Sequence, residues 1–207
     1  MKTHIQGVYN NLPMPKFQRN KKKKIDEILD AALKLATEKG PNNFSVNDIP
    51  EKANVSIGTV YRYFPKGKED ILHQILLRNM ENVKSLTETE YKAETLEAYW
   101  APIIRNMIKV SHRYDAVSEM MVEAAPPDSE FYHKLSTDLM SFYHEMAEEM
   151  KEYSTVVDAP VSNLALRTGL CFRLLKKILH AQEAVTLFDE EELENYMMKI
   201  VNATFSR

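Results

Sequence analysis

Apolar residues recur along this chain at three- and four-residue spacing from about residue 25 almost to its end. That period belongs to helices with one buried face, since a half-buried strand alternates at every second residue. In "KKIDEILDAALKLATEKG", Ile25, Ile28, Leu29, Ala32, Leu33 and Ala36 share one stripe. Lys39, Gly40 and Pro41 then supply a basic last turn, a left-handed stop and a breaker, which predicts a helix ending there. "SVNDIPEKAN" predicts a second, short helix, with Ser45 and Asp48 in capping-box positions and Val46, Ile49 and Ala53 inward. Pro50 would clash with a carbonyl in a helix running regularly from Val46, so the first turn is expected to be irregular or to start nearer Asn47. Asn54 suits a tight turn, because asparagine tolerates positive φ.

The next run, "VSIGTVYRYF", is rich in β-branched and aromatic residues that favour strands by propensity. Its bulky apolar positions, Val55, Ile57, Val60, Tyr61 and Phe64, nevertheless fit a short helix, capped by Ser56 and stopped by Pro65. Two short helices joined by a tight turn, with the preceding helix across them, make a helix-turn-helix. Val55, Val60 and Phe64 are expected in its core, with Ile57, Gly58, Thr59, Arg62 and Tyr63 outward and Tyr61 at the edge. A face that meets DNA explains the poor helix formers: hydroxyls suit phosphates, glycine allows close approach, and arginine or isoleucine can reach base edges.

Ile71, Leu72, Ile75, Leu76, Met80 and Val83 continue at helical spacing without a linker, and further helices are predicted at about 94–123, 128–153, 160–184 and 189–205. They are separated by "AAPPDSE", "VVDAP" and the capping run "TLFDEEEL". The fold class is all-α: an N-terminal three-helix helix-turn-helix domain followed by a C-terminal helical domain.

Charge sharpens this reading. Up to Lys84 there are 15 Lys and Arg against 9 Asp and Glu, a balance of +6, and from Ser85 onward 12 face 21, a balance of -9. A basic first part fits a polyanion, whereas the acidic remainder is repelled by one. The hydrophobic content of 44% supports a packed core, and no apolar run reaches the length of a membrane span or a signal peptide core, so no membrane partner and a cytoplasmic location are expected. One cysteine, Cys171, excludes a disulfide or a multi-cysteine zinc site within one chain and reads as a buried small hydrophobe.

From "IDEILDAALKLATEKG" through "FSVNDIPEKANVSIGTVYRYFPKGKEDIL" the sequence resembles the TetR family of transcriptional regulators. Gly40, Ser45, Val55, Ser56, Gly58, Tyr61, Phe64, Lys68 and Glu69 match its pattern. Pro50 stands where alanine is usual, Asn54 where glycine is usual, and "FPKGKED" is one residue longer than the common form. The resemblance implies phosphate contacts from Ser45, Ser56, Thr59, Tyr61 and either Lys66 or Lys68, and base contacts from Ile57, Gly58, Arg62 and Tyr63.

It further implies a homodimer on an operator and a small-molecule effector. The expected organisation is a flexible basic arm over residues 1–20, a DNA-binding domain over 21–68, and an effector-binding and dimerisation domain over 69–207. Inward-facing candidates for the effector site are Trp100, Ile104, Met107, Met121, Phe142 and Phe172. The dimer interface is expected on the last two long helices, with apolar stripes Leu164, Cys171, Leu175 and Ile178, and Leu193, Met197, Ile200 and Val201. An enzyme is the rival reading: His144 with Glu148, and His112 with Asp115, lie one helical turn apart, but no third ligand at metal spacing and no phosphate loop accompany them, so no catalytic, metal or cofactor residue is expected. A nonspecific architectural DNA binder is disfavoured by the acidic second half.

Overall fold

In a computed structural model of the chain, residues 16–40, 43–87, 93–124, 128–153 and 155–206 are described, with side chains for all of these but 16–19, 111–124, 183 and 184. The helices are α1 (Lys16–Lys39), α2 (Ile49–Ala53), preceded by a 3-10 turn (Val46–Asp48), α3 (Ile57–Tyr63), α4 (Lys68–Thr87), α5 (Leu96–Ala124), α6 (Glu130–Lys151), α7 (Val161–Ala184) and α8 (Glu190–Phe205). Among the described residues there is no strand, only an isolated antiparallel bridge between Val156 and Ser206.

Two cores are built in sequence. The first runs from Ile28 to Ile75 and packs α1 over α2, α3 and the beginning of α4, with Ile28, Ile49, Val60 and Ile71 fully buried. The second begins at Leu76 and is dominated by Trp100, which packs against Phe172 and Phe205 at centroid distances of 5.1 and 5.8 Å. Its indole N–H points at the Met150 sulfur, 3.1 Å away. Helix α4 therefore contributes Ile71, Leu72 and Ile75 to one core and Leu76 and Met80 to the other. Helix α6 is fastened to α4 by His73 Nε2 and Asp138 Oδ2, 2.6 Å apart at a largely buried position, and by an ion pair between Lys84 and Glu145.

Two expectations change here. Residues 16–20, expected in a flexible arm, form the start of α1, whose lysines, glutamine and arginine are good helix formers that extend a helix once nucleated; residues 1–15 lie outside the described residues. The stripe expected at a dimer interface faces inward. Leu164, Cys171, Leu175, Leu193, Met197 and Val201 are buried in the second core, with Ile178 and Ile200 half-buried beside it. The leucines that α7 leaves in solvent are Leu166, Leu170 and Leu174, at 57, 65 and 49% exposure. Burial pushes the Cys171 thiol up to about 12, so it packs as the small hydrophobe expected.

Candidate nucleic-acid interface and internal cavity

The helix-turn-helix is shaped by five local devices. Asp48 accepts the Ser45 N–H at 2.6 Å, while the Ser45 hydroxyl accepts the Asn47 N–H, closing the capping box. These bonds, with Lys39 at 3.2 Å, hold the Asp48 carboxyl below its usual range. The 3-10 turn absorbs the irregularity that Pro50 demands, leaving Pro50 in the first turn of α2 where its missing N–H costs nothing. Asn54 then takes the left-handed conformation (φ 49°, ψ 50°), and Ser56 caps α3 by accepting the Thr59 N–H at 3.2 Å. The additional residue before α4 is accommodated by Gly67, at φ +66°. A Cβ there would stand 3.2 Å from Val46, so the α3–α4 turn lies directly on the 3-10 turn.

Helix α3 buries Val60 and presents Ile57 and Tyr61, 39 and 46% exposed, together with Gly58 and Arg62. A Cβ on Gly58 would meet nothing nearer than the Ser56 hydroxyl at 4.0 Å, so this surface is open to close approach. The Ser56 and Thr59 hydroxyls lie 2.9 Å apart at its N-terminus. Two placements differ from expectation. Tyr63, expected outward, is half-buried against the first core, whereas Tyr61, expected at the edge, is the more exposed tyrosine. Tyr63 instead holds Arg62: the guanidinium donates to its hydroxyl at 3.2 Å and lies 4.9 Å from its ring centroid.

The two candidate phosphate lysines are also unequal. Lys68 donates to the Phe44 carbonyl at 2.9 Å and sits 4.3 Å above the Phe44 ring, and burial lowers its pKa. Lys66 is exposed, with its ammonium 3.4 Å from Glu130 of α6. Lys68→Met is accordingly expected to cost stability, by about 1 kcal/mol for the lost hydrogen bond, while leaving the salt dependence of DNA binding unchanged. Lys66→Ala is expected to leave the melting temperature alone and to reduce the salt slope by about one phosphate. Thermal melts and salt titrations of both variants check this, and a reversed pattern would exchange the two assignments.

A cavity of about 350 Å³ opens between α4, α5, α6 and α7. Its apolar wall includes Leu76, Met80, Met107, Phe142, Tyr143 and Phe172, and its polar lining includes Asn79, Asn82, Asn106 and Lys176. Met107, Phe142 and Phe172 are thus among its walls. Trp100 and Ile104 are fully buried and do not line it; Trp100 stands one layer behind, against Phe172. The Met121 side chain lies outside the described residues. Sequence reasoning missed the α4 contribution, although asparagines at 79, 82 and 106, inside helices that asparagine disfavours, were a readable signal. His144 and Glu148 are exposed and 3.8 Å apart, and no group of three metal-ligating side chains occurs among the described residues. His112 and Asp115 have no described side chains.

Residues 28–75 match the family model for bacterial regulatory proteins of the tetR family. This stretch is a TetR-family DNA-binding domain. The match has the limits of the first core, Ile28 to Ile75. The chain is similar to the HTH-type transcriptional repressor KstR of Rhodococcus jostii, 31% identical over 103 residues that cover 50% of this chain and 48% of the relative. It is also similar to the fatty acid metabolism regulator protein of Bacillus subtilis, 35% identical over 74 residues, or 36% of this chain and 38% of the relative. The chain thus spans about half, or less, of the curated relatives it matches. The TetR-like architecture extends further than the sequence likeness. The fatty acid degradation regulator FadR of Bacillus halodurans superimposes with a TM-score of 0.67 at 20% identity, covering 86% of this chain and 96% of that one.

Proposed function

We propose that this protein is a ligand-responsive transcriptional regulator of the TetR family, a repressor in its simplest output, that binds a pseudo-palindromic operator as a homodimer in the cytoplasm. The observation that carries the reading is α3: a short helix of poor formers, capped by paired hydroxyls, whose open face offers Ile57, Gly58, Tyr61 and Arg62. Ser45, Ser56, Thr59, Tyr61 and Lys66 would position phosphates. Ile57, Gly58 and Arg62 would read base edges in the major groove, with Tyr63 as the support from which Arg62 is delivered. One such helix covers few base pairs, so two copies on adjacent half-sites are needed. The solvent-facing leucines of α7, spaced at every fourth residue, offer the second copy an apolar seam.

The cavity couples to DNA through α4. Leu76 and Met80 line it, and Ile71, Leu72 and Ile75 on the same helix belong to the DNA-reading core. A mostly apolar molecule that fits better when α4 is tilted favours the half-site spacing that goes with that tilt, and weakens operator binding by its differential affinity. A tenfold loss requires only about 1.4 kcal/mol of such preference.

Titration of the protein against its own promoter and a scrambled duplex across a salt series tests the reading. Specific binding is expected to fall with salt at a log-log slope near -0.9 per phosphate neutralised, and a flat response would refute it. Within the same assay Arg62→Ala should relax preference at one base position by roughly 1–3 kcal/mol. Equal weakening on every duplex would reassign Arg62 to the DNA backbone.

A further inference from the structure

We infer that His73 is a positioning residue for operator recognition: held by Asp138, it fixes the angle at which the DNA-reading domain is carried, and with it the half-site spacing that the dimer accepts. The inference rests on the homodimer and two-part operator proposed above and adds the residue that sets spacing specificity. His73 lies in the turn of α4 that gives Leu72 and Ile75 to the first core, and it is itself buried. Asp138 lies on α6, one turn before Phe142, which belongs to the second core. The 2.6 Å bond between them therefore joins the two interiors at the point where α4 passes from one to the other. An ionised carboxylate only accepts, so the imidazole donates through Nε2. Two other contacts between α6 and this region define no angle. Lys66 and Glu130 meet 3.4 Å apart in solvent, where an ion pair is weak and free to rearrange. Phe131 packs half-buried against both cores, but apolar contact is non-directional. The His73 bond is short, directional and largely buried, so losing its acceptor leaves a buried donor without that partner. Operator spacing is sensitive to such an angle, because one added base pair moves a half-site by about 3.4 Å and turns it by about 35°.

The test titrates the intact protein with the operator mapped in its own promoter and with duplexes that have one or two base pairs added to or removed from the operator centre. The wild type is expected to lose at least about tenfold in affinity, or about 1.4 kcal/mol, for each base pair of change. His73→Phe keeps the bulk and removes the donor, and Asp138→Ala removes the acceptor from the other helix. Both are expected to flatten the spacing profile to within about threefold. His73→Gln returns an amide N–H to the place of Nε2 and is expected to restore the sharp profile. Affinity for a duplex with a single half-site should be equal in all four proteins, since the reading face is untouched. Thermal melts identify the variants that fold, and the two disruptions come from opposite sides of the bond so that either one carries the test. A profile that stays sharp while the melting temperature falls assigns the bond to stability alone and overturns the inference. A flattening that His73→Gln does not reverse overturns it as well. A wild type that does not distinguish the operator from a scrambled duplex refutes the proposed function itself, whereas a specific wild type with unchanged variants refutes only the role of His73.

Discussion

A Leu170→Glu, Leu174→Glu double variant is expected to purify as a folded monomer and to lose operator affinity by at least about a hundredfold. Both leucines stand in solvent on α7, at 65 and 49% exposure, so the new carboxylates bury nothing within one subunit and the melting of the isolated fold is preserved. Across a two-fold interface the same substitutions bring like charges together in an apolar seam, which is strongly unfavourable. Once the copies separate, each half-site is bound independently, and the multivalent gain of roughly 10²–10⁴ is lost. Sedimentation and operator titration give the two readouts together; a variant that stays dimeric would place the interface elsewhere. Leu175→Glu is the control. Leu175 is fully buried, so its charge would enter the second core and the chain should fail to fold rather than dissociate.

Trp100→Ala should lower stability by about 3–5 kcal/mol, or roughly 6 to 20 °C in melting temperature for a chain of this size. The indole has no exposed surface, and its neighbours come from every helix around it: Met150 of α6, Phe172 of α7 and Phe205 of α8. None of them can close over the vacated volume without moving its helix. Because ΔG of folding is typically about 5–15 kcal/mol, the variant should sit near the limit of folding at growth temperature. A circular-dichroism melt decides the matter. A drop of under about 3 °C would mean that the indole fills a site able to collapse, or one that a ligand normally occupies.

These two expectations mark where the sequence could and could not be read. Helix limits, the capping box at Ser45 and Asp48, the left-handed Asn54, the Ser56 cap and the stop at Pro65 were legible because each is decided by residues within one or two turns. The buried stripe of α7 was not distinguishable as core or interface from the sequence, since leucines occur on both sides of that helix and only its neighbours decide which side is covered. Trp100 looked like a pocket wall for a related reason: an inward aromatic is the same in sequence whether it meets a cavity or another ring. The inequality of Lys66 and Lys68 follows from the path of the turn through Gly67, which stands between them. That path depends on contact with Val46, 21 residues before Gly67 in the chain, and is not a local property.

The division of α4 between two cores also governs how chains of this build can be recombined. A sensing module is usually grafted at a loop, and the turn at 64–67 would be the natural choice here. A join there would hand Ile71, Leu72 and Ile75, three ribs of the DNA-reading core, to whichever sensor was attached. The seam that respects both interiors falls inside the helix, between Ile75 and Leu76, where one heptad of a donor can be spliced to another without a change of register. Chimaeras joined at that point should inherit operator choice from one parent and ligand response from the other, whereas loop-joined chimaeras should inherit a damaged version of each.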